Sequence, residues 1–131
     1  MIHSTPSPVD KTIVLVDDES AYLTLLTEQV EINLNFPTRI FGRPAEALKA
    51  LPDLNAGLLV TDFRMPELNG FEFIRKVQQI LPNLPIIMIT AVPEELPQVN
   101  MADFPSLKAI VHKPFGWAEL ETHIVRHWPK T

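Results

Sequence analysis

Five residues with chemically useful side chains stand at or just after the ends of short apolar runs: Asp17, Asp18, Asp62, Thr90 and Lys113. If they converge, the three carboxylates repel one another and raise one another's pKa unless a cation joins them. Magnesium suits an open acidic cluster because it keeps several waters and takes only one or two carboxylates together with phosphate oxygens. Asp62 could then be a nucleophile that forms an aspartyl phosphate, while Lys113 and Thr90 contact the phosphoryl oxygens.

Other metal chemistry has weaker support. Calcium is disfavoured because no loop offers many oxygen ligands in a row. His123 and His127 lie four residues apart on one face of a predicted helix, but no Asp, Glu or Cys stands at a matching offset, so we expect both to face solvent. His112, next to Lys113, is a candidate for the rim of the site.

The apolar runs before these polar residues read as buried strands. They are continuous, which is typical of a parallel sheet covered on both faces, and they span residues 13–16, 58–61, 86–89 and 109–111, with a weaker strand at 38–41. Apolar stripes at helical spacing lie between and after them. This alternation predicts an α/β fold with one doubly wound, five-stranded parallel sheet. Ligands bind beyond the carboxyl ends of such strands, where the five polar residues should meet.

Two helix details are also predicted. Residues 92–108 contain three prolines, so only a short helix, over residues 96–102, is expected there. Ser20 is predicted to cap the first helix, since hydroxyl and acidic side chains favour that end.

Composition bounds the class of protein. With 131 residues and 46% apolar side chains, the chain has the size of one domain. We expect a disordered lead-in over residues 1–10, the domain over 11–128 and a tail over 129–131. No apolar stretch reaches the roughly 20 residues of a bilayer span, and cysteine is absent, which favours a soluble, cytoplasmic protein without membrane contact. A net charge of −5 argues against direct nucleic-acid binding.

Four motifs, in order, resemble those of a response-regulator receiver domain (CheY-like) of two-component signalling. They are Asp17 and Asp18, residues 62–71 (DFRMPELNGF), Thr90 with Ala91, and residues 113–115 (KPF). The resemblance implies a flavodoxin-like strand order of 2-1-3-4-5. The prolines of residues 92–108 depart from the family pattern and make the fourth helix of this chain short or degenerate. It further implies a domain that is not an enzyme, receives its phosphoryl group from a histidine kinase or histidine phosphotransfer protein, and signals to another protein.

The same resemblance implies a role for each residue near the ion. Asp62 is similar to the phosphoacceptor, Asp18 to the direct Mg2+ ligand, and Asp17 to the residue that holds a metal-bound water. Arg64 would lend its backbone carbonyl to the metal, while its side chain lies over the phosphoryl site and affects the lifetime of the phosphoryl group.

Further residues resemble the phosphoryl-binding and switch positions. Thr90, followed by Ala91, is similar to the hydroxyl residue that moves toward the phosphoryl group, and Lys113 to the lysine that contacts it. Pro114 resembles the proline that follows this lysine through a cis peptide bond. Receivers commonly carry Tyr or Phe where this chain has Ile110, so the aromatic half of the switch should be missing. We therefore predict a conformational shift concentrated in residues 91–107.

Alternatives remain at this point. A magnesium-dependent phosphatase with an aspartate nucleophile would resemble Asp-x-Asp, but Arg64 holds the second position and the chain has no room for a cap domain. A flavin carrier would need a Ser/Thr/Gly-rich phosphate loop where Asp17 and Asp18 stand. The domain could also be the receiver portion of a longer regulator or hybrid histidine kinase, although the start at Met1 and the end at Thr131 favour a free-standing receiver.

Overall fold

The computed structural model describes residues 11–113 and 116–129. Strands and helices alternate through most of this chain: β1 (Thr12–Val16), α1 (Ser20–Asn33), β2 (Thr38–Phe41), α2 (Pro44–Ala50), β3 (Ala56–Asp62), α3 (Gly70–Ile80), β4 (Ile86–Thr90), β5 (Leu107–His112) and α4 (Trp117–His127). Short 3-10 turns occupy Leu51–Asp53, Pro93–Glu95 and Met101–Asp103. The predicted lead-in over residues 1–10 and most of the predicted tail lie outside the described residues.

The five strands form one parallel sheet in the order β2-β1-β3-β4-β5. This order confirms the predicted doubly wound fold. The chain leaves β1 for β2 on one side and returns to β3 on the other, so the connections diverge between β1 and β3. A crevice opens at that point, beyond the carboxyl ends of the two strands. Within the described residues, no helix is long and apolar enough to cross a membrane.

Two apolar clusters bury the sheet from both faces, which explains the continuous apolar runs in the sequence. Successive side chains of a strand point to opposite faces. In β1, Val14 and Val16 accordingly join the cluster beneath α2 and α3, whereas Ile13 and Leu15 join the cluster beneath α1 and α4. All four side chains are at most 1% exposed. Packing on both sides holds the carboxyl end of β1 in a fixed position.

The loop from β3 to α3 is shaped by local backbone chemistry. Asn69 caps α3 by accepting a hydrogen bond from the Glu72 backbone N–H, and the Glu72 carboxylate accepts one from the Asn69 N–H. Gly70 has no room for a Cβ, which would lie 2.7 Å from the Met88 sulfur. Glu67 adopts φ 75°, and the Leu68 N–H donates to the Pro66 carbonyl across it, which defines a γ-turn. These features fix the path of the chain just after Asp62.

The predicted cap of α1 is wrong. Glu19, rather than Ser20, occupies the N-cap position, and its own side chain makes no capping hydrogen bond. Instead, Asp17 Oδ1 accepts a hydrogen bond from the Glu19 backbone N–H at 3.0 Å. This bond goes to the N–H of the N-cap residue rather than to an N–H of the first helical turn, so it fixes the turn between Asp17 and α1 without capping the helix.

The predicted helix over residues 96–102 does not form. Leu96 precedes a proline, which disfavours helical backbone, and it is extended with φ −65° and ψ 130°. Asn100 is also extended, and its side chain accepts a hydrogen bond from the Ala102 N–H in place of a helical carbonyl. The two 3-10 turns remain, Pro93–Glu95 and Met101–Asp103. The fourth helix was expected to be short or degenerate, and the segment between β4 and β5 contains no α-helix. The label α4 therefore refers to the helix after β5, Trp117–His127.

Candidate functional site

Three carboxylates meet at the crevice between β1 and β3. Asp17 follows β1 directly and Asp62 is the last residue of β3, and these strands are neighbours in the sheet. One carboxylate oxygen from each of Asp17, Asp18 and Asp62 lies within 4.8 Å of the other two. Asp17 is 3% exposed and Asp62 is 8% exposed, whereas Asp18 is open to solvent. The predicted convergence of the acids is therefore observed.

Lys113 projects its amine into the same cluster from the end of β5. Its Nζ donates to Asp17 Oδ2 at 3.1 Å and lies 3.8 Å from Asp62 Oδ2. The Lys113 backbone N–H donates to the Thr90 carbonyl at 2.7 Å, which holds the base of the lysine against β4. Its amine also lies 4.1 Å from the ring centroid of Tyr22 and 3.5 Å from Glu19 Oε1. The cluster thus contains one cation among several acids.

The two buried acids of the cluster, Asp17 and Asp62, resist ionisation because their pKa values are raised. Burial, followed by the charge of Asp17, raises the pKa of Asp62 from 3.8 to about 6, although Lys113 and the Phe63 N–H act against the rise. Burial also raises the pKa of Asp17, despite its hydrogen bonds with Glu19 and Lys113. For Lys113, burial acts to lower the pKa, but the charges of Asp17 and Asp62 outweigh it and raise the pKa. Additional positive charge would therefore stabilise the ionised cluster.

A cavity of about 270 Å3 lies over Asp62 and is lined by Thr90, Ala91, Arg64 and Lys113 among others. Thr90 is 3% exposed at the end of β4, and its hydroxyl accepts a hydrogen bond from the Val92 N–H at 3.2 Å. The Arg64 side chain is 71% exposed and forms an ion pair with Glu95. The predicted phosphoryl-contacting residues therefore surround one open space beside the carboxylates.

Other predicted residues lie at the edge of the site or away from it. Ile110 is 40% exposed on β5, and Pro114 lies outside the described residues. His112 Nε2 lies 3.2 Å from the Ala91 carbonyl oxygen, which places His112 at the rim. His123 and His127 are half-buried instead of facing solvent, because their side of α4 packs partly against the domain.

Sequence reasoning misses two residues that contact the functional side chains. Tyr22 is the third residue of α1, and its place in the first helical turn after Asp17 and Asp18 could have signalled that it lies near the strand end. Glu95, which pairs with Arg64, carried no comparable signal because its position depends on the irregular backbone after β4.

Comparison with known proteins identifies the family. Residues 13–125 match the response regulator receiver domain, so the chain belongs to this family of two-component signalling domains. The transcriptional regulatory protein FixJ of Rhizobium meliloti is 35% identical over 81 residues, covering 62% of this chain and 39% of FixJ. The alkaline phosphatase synthesis transcriptional regulatory protein PhoP of Bacillus subtilis is 33% identical over 116 residues, covering 88% and 48%. The chain spans less than half the length of either relative.

A solved structure supports the same assignment. The response regulator protein TrrA of Thermotoga maritima, determined in complex with Mg2+-BeF, superposes with a TM-score of 0.75 at 25% identity. The match covers 88% of this chain and 97% of that one. In the present chain, the cluster of Asp17, Asp18 and Asp62 is consistent with Mg2+ binding.

Proposed function

We propose that this receiver domain accepts a phosphoryl group on Asp62 in a Mg2+-dependent reaction and signals through a conformational shift. The observation that carries the proposal is the placement of Asp62 within one cavity beside two further carboxylates, a lysine and a buried threonine hydroxyl. These are the groups that phosphoryl transfer requires: an acceptor, ligands for a divalent ion, and donors for the phosphoryl oxygens.

The donor set fits magnesium. Its side-chain donors are carboxylate oxygens, which are the ligands that a hard cation prefers, and the cluster opens to a cavity with room for water. Both oxygens of Asp17 already accept hydrogen bonds, from the Glu19 N–H and from Lys113. Asp18 is exposed, which supports Asp18 as a direct ligand and Asp17 as a partner for bound water. Asp62 and the Arg64 carbonyl would complete the protein ligands. When bound, the ion neutralises charge on the phosphoryl oxygens.

The transfer itself needs only an ionised Asp62 and an oriented donor. An Asp62 oxygen forms a bond to phosphorus while the bond from phosphorus to the imidazole nitrogen of a phosphohistidine breaks, and that nitrogen keeps the electron pair. Lys113 exchanges its contact with Asp17 for one with a phosphoryl oxygen. The Thr90 hydroxyl, which now accepts from Val92, rotates to donate to another. Proton uptake by Asp62 opposes this chemistry, since only the carboxylate is nucleophilic.

The partner supported by this chemistry is a histidine kinase or a histidine phosphotransfer protein. We place the receiver domain in the cytoplasm, because the absence of cysteine from its sequence favours a reducing compartment. The relatives FixJ and PhoP are named as transcriptional regulatory proteins and are more than twice as long as the matched part. Output in this chain is therefore proposed to pass through a protein contact or a further domain, without direct nucleic-acid binding by the receiver. We propose that the domain does not act as an enzyme on a separate substrate.

Intact-mass spectrometry tests the function. Acetyl phosphate with Mg2+ should add a single phosphoryl group of about 80 Da. Asp62→Asn should abolish the addition, whereas Asp53→Asn, which changes an exposed acid in the turn Leu51–Asp53, should leave it intact. A chelator should prevent it in the wild type and in Asp53→Asn. An unchanged mass increase in Asp62→Asn would remove Asp62 from the mechanism.

A further inference from the structure

The ion pair between Arg64 and Glu95 spans the mouth of the site. Arg64 follows Asp62 by two residues, and Glu95 ends the turn Pro93–Glu95 that follows β4. Both side chains line the cavity over Asp62, and they are 71% and 46% exposed. The pair therefore ties the loop after β3 to the segment after β4.

Glu95 forms an ion pair with Arg64 in the unphosphorylated domain. A guanidinium recognises carboxylate and phosphate through the same planar set of N–H donors. A phosphoryl group on Asp62 would bring a charge of about −1.5 to −2 into the same cavity, where it attracts Arg64 and repels Glu95. An exposed ion pair holds its partners weakly, so the exchange of one anion for the other meets little resistance.

The segment after β4 has a second polar contact, with the Thr90 hydroxyl, and the proposed reaction also uses this hydroxyl. The Thr90 hydroxyl accepts the Val92 N–H now, and it would lose that bond when it turns toward a phosphoryl oxygen. Val92 and Glu95 are exposed, and half-buried packing against the core resumes at Leu96 and Val99. Phosphorylation therefore withdraws two polar contacts from one short stretch of backbone.

We propose that Glu95 is a positioning residue that competes with the phosphoryl group for Arg64, and that its displacement releases the turn Pro93–Glu95. This inference rests on the proposed function, because it needs a phosphoryl group on Asp62. Two consequences follow. Removal of the Glu95 charge makes Arg64 available to an incoming phosphodonor, and it loosens the turn before any phosphoryl group arrives.

The first test is the rate of phosphorylation by acetyl phosphate with Mg2+, followed by intact mass. Glu95→Gln should react about two- to fivefold faster, the factor to which the free energy of an exposed ion pair corresponds. Glu94→Gln is the matched control, because this neighbouring acid belongs to the same turn but does not line the cavity. In an Arg64→Gln background, Glu95→Gln should have no further effect. An equal acceleration in that background would show simple charge repulsion and overturn the inference.

The second test needs no phosphoryl group. Backbone amide hydrogen exchange in the turn, including the Glu95 N–H that donates to the Val92 carbonyl, should be faster in Glu95→Gln and Arg64→Gln than in wild type. Glu94→Gln should match wild type. If the wild type takes up no phosphoryl group, the proposed function fails. If the wild type reacts but Glu95→Gln matches Glu94→Gln in both tests, the inference alone fails.

Discussion

Replacement of Asp62 by Asn should stabilise the metal-free domain at neutral pH. Burial and the charge of Asp17 raise the pKa of Asp62 from 3.8 to about 6. That rise of roughly two pH units corresponds to about 3 kcal/mol, because each unit contributes about 1.4 kcal/mol. Between these pKa values the folded state binds more protons than the unfolded chain. Stability is therefore lost as pH rises through this window, and the full cost is present above it.

Asparagine removes the charge with little change in shape. Its side-chain oxygen can still accept the Phe63 N–H, which lies 2.9 Å from Asp62 Oδ1 in the native domain. In urea denaturation with a chelator, Asp62→Asn should gain about 3 kcal/mol near pH 7.5 and about half of that near pH 5, where folded Asp62 is mostly protonated. Asp53→Asn serves as the exposed control and should gain little.

Magnesium should reduce the gain, because only the wild type offers the third carboxylate and is therefore stabilised more by the ion. The reasoning would be refuted if metal-free Asp62→Asn were no more stable than wild type near neutral pH. A gain of the same size near pH 5 would also contradict it, since the effect would then come from something other than the charge of Asp62.

Three other measurements test separate parts of the structure. Mg2+ titration of the unphosphorylated protein should show a greater loss of affinity in Asp18→Ala than in Asp17→Ala, because only a direct ligand loses its bond outright; equal losses would make this division of roles wrong. Glu67→Gly should raise thermal stability by about 1 kcal/mol by relieving a positive φ, whereas Glu67→Ala retains the strain and should show no gain. Beryllofluoride with Mg2+ should shift backbone amide resonances most in residues 91–107, apart from the aspartates themselves; large shifts confined to α1 or α3 would point to another output face.

The beryllofluoride prediction needs refinement for the second half of residues 91–107. The predicted shift covers residues 91–107, but Phe104 is 1% exposed and Ser106 is 3% exposed. The Gln78 side chain donates to the Asp103 carbonyl and accepts from the Ser106 N–H, which binds this part of the segment to α3. We therefore expect the largest changes before residue 101.

The fold was predictable because its signals are local and repeated. Each buried strand is a continuous apolar run, and each run leads to a polar residue that the parallel sheet brings to the same edge. The sequence therefore predicts that Asp17 and Asp62 lie at the same edge of the sheet. Their proximity depends on strand order, which the family resemblance implies and which the spacing of the strands alone does not prove.

The remaining details depend on contacts that no periodicity encodes. The Arg64 and Glu95 pair forms because an extended residue before Pro97 ends the turn that presents Glu95. The turn into α1 is held by Asp17, whose carboxylate accepts hydrogen bonds from both the Glu19 N–H and Lys113. Such choices among competing hydrogen bonds are settled by tertiary packing and cannot be read from residue type alone.

Localisation of the phosphoryl group tests the central claim most directly. After reaction with acetyl phosphate and Mg2+, borohydride reduction converts an aspartyl phosphate to homoserine, and peptide mass spectrometry identifies the converted residue. The account predicts homoserine at Asp62 alone, with none formed when Mg2+ is chelated. Homoserine at Asp17 or Asp18, or a phosphorylated protein that yields none, would contradict it.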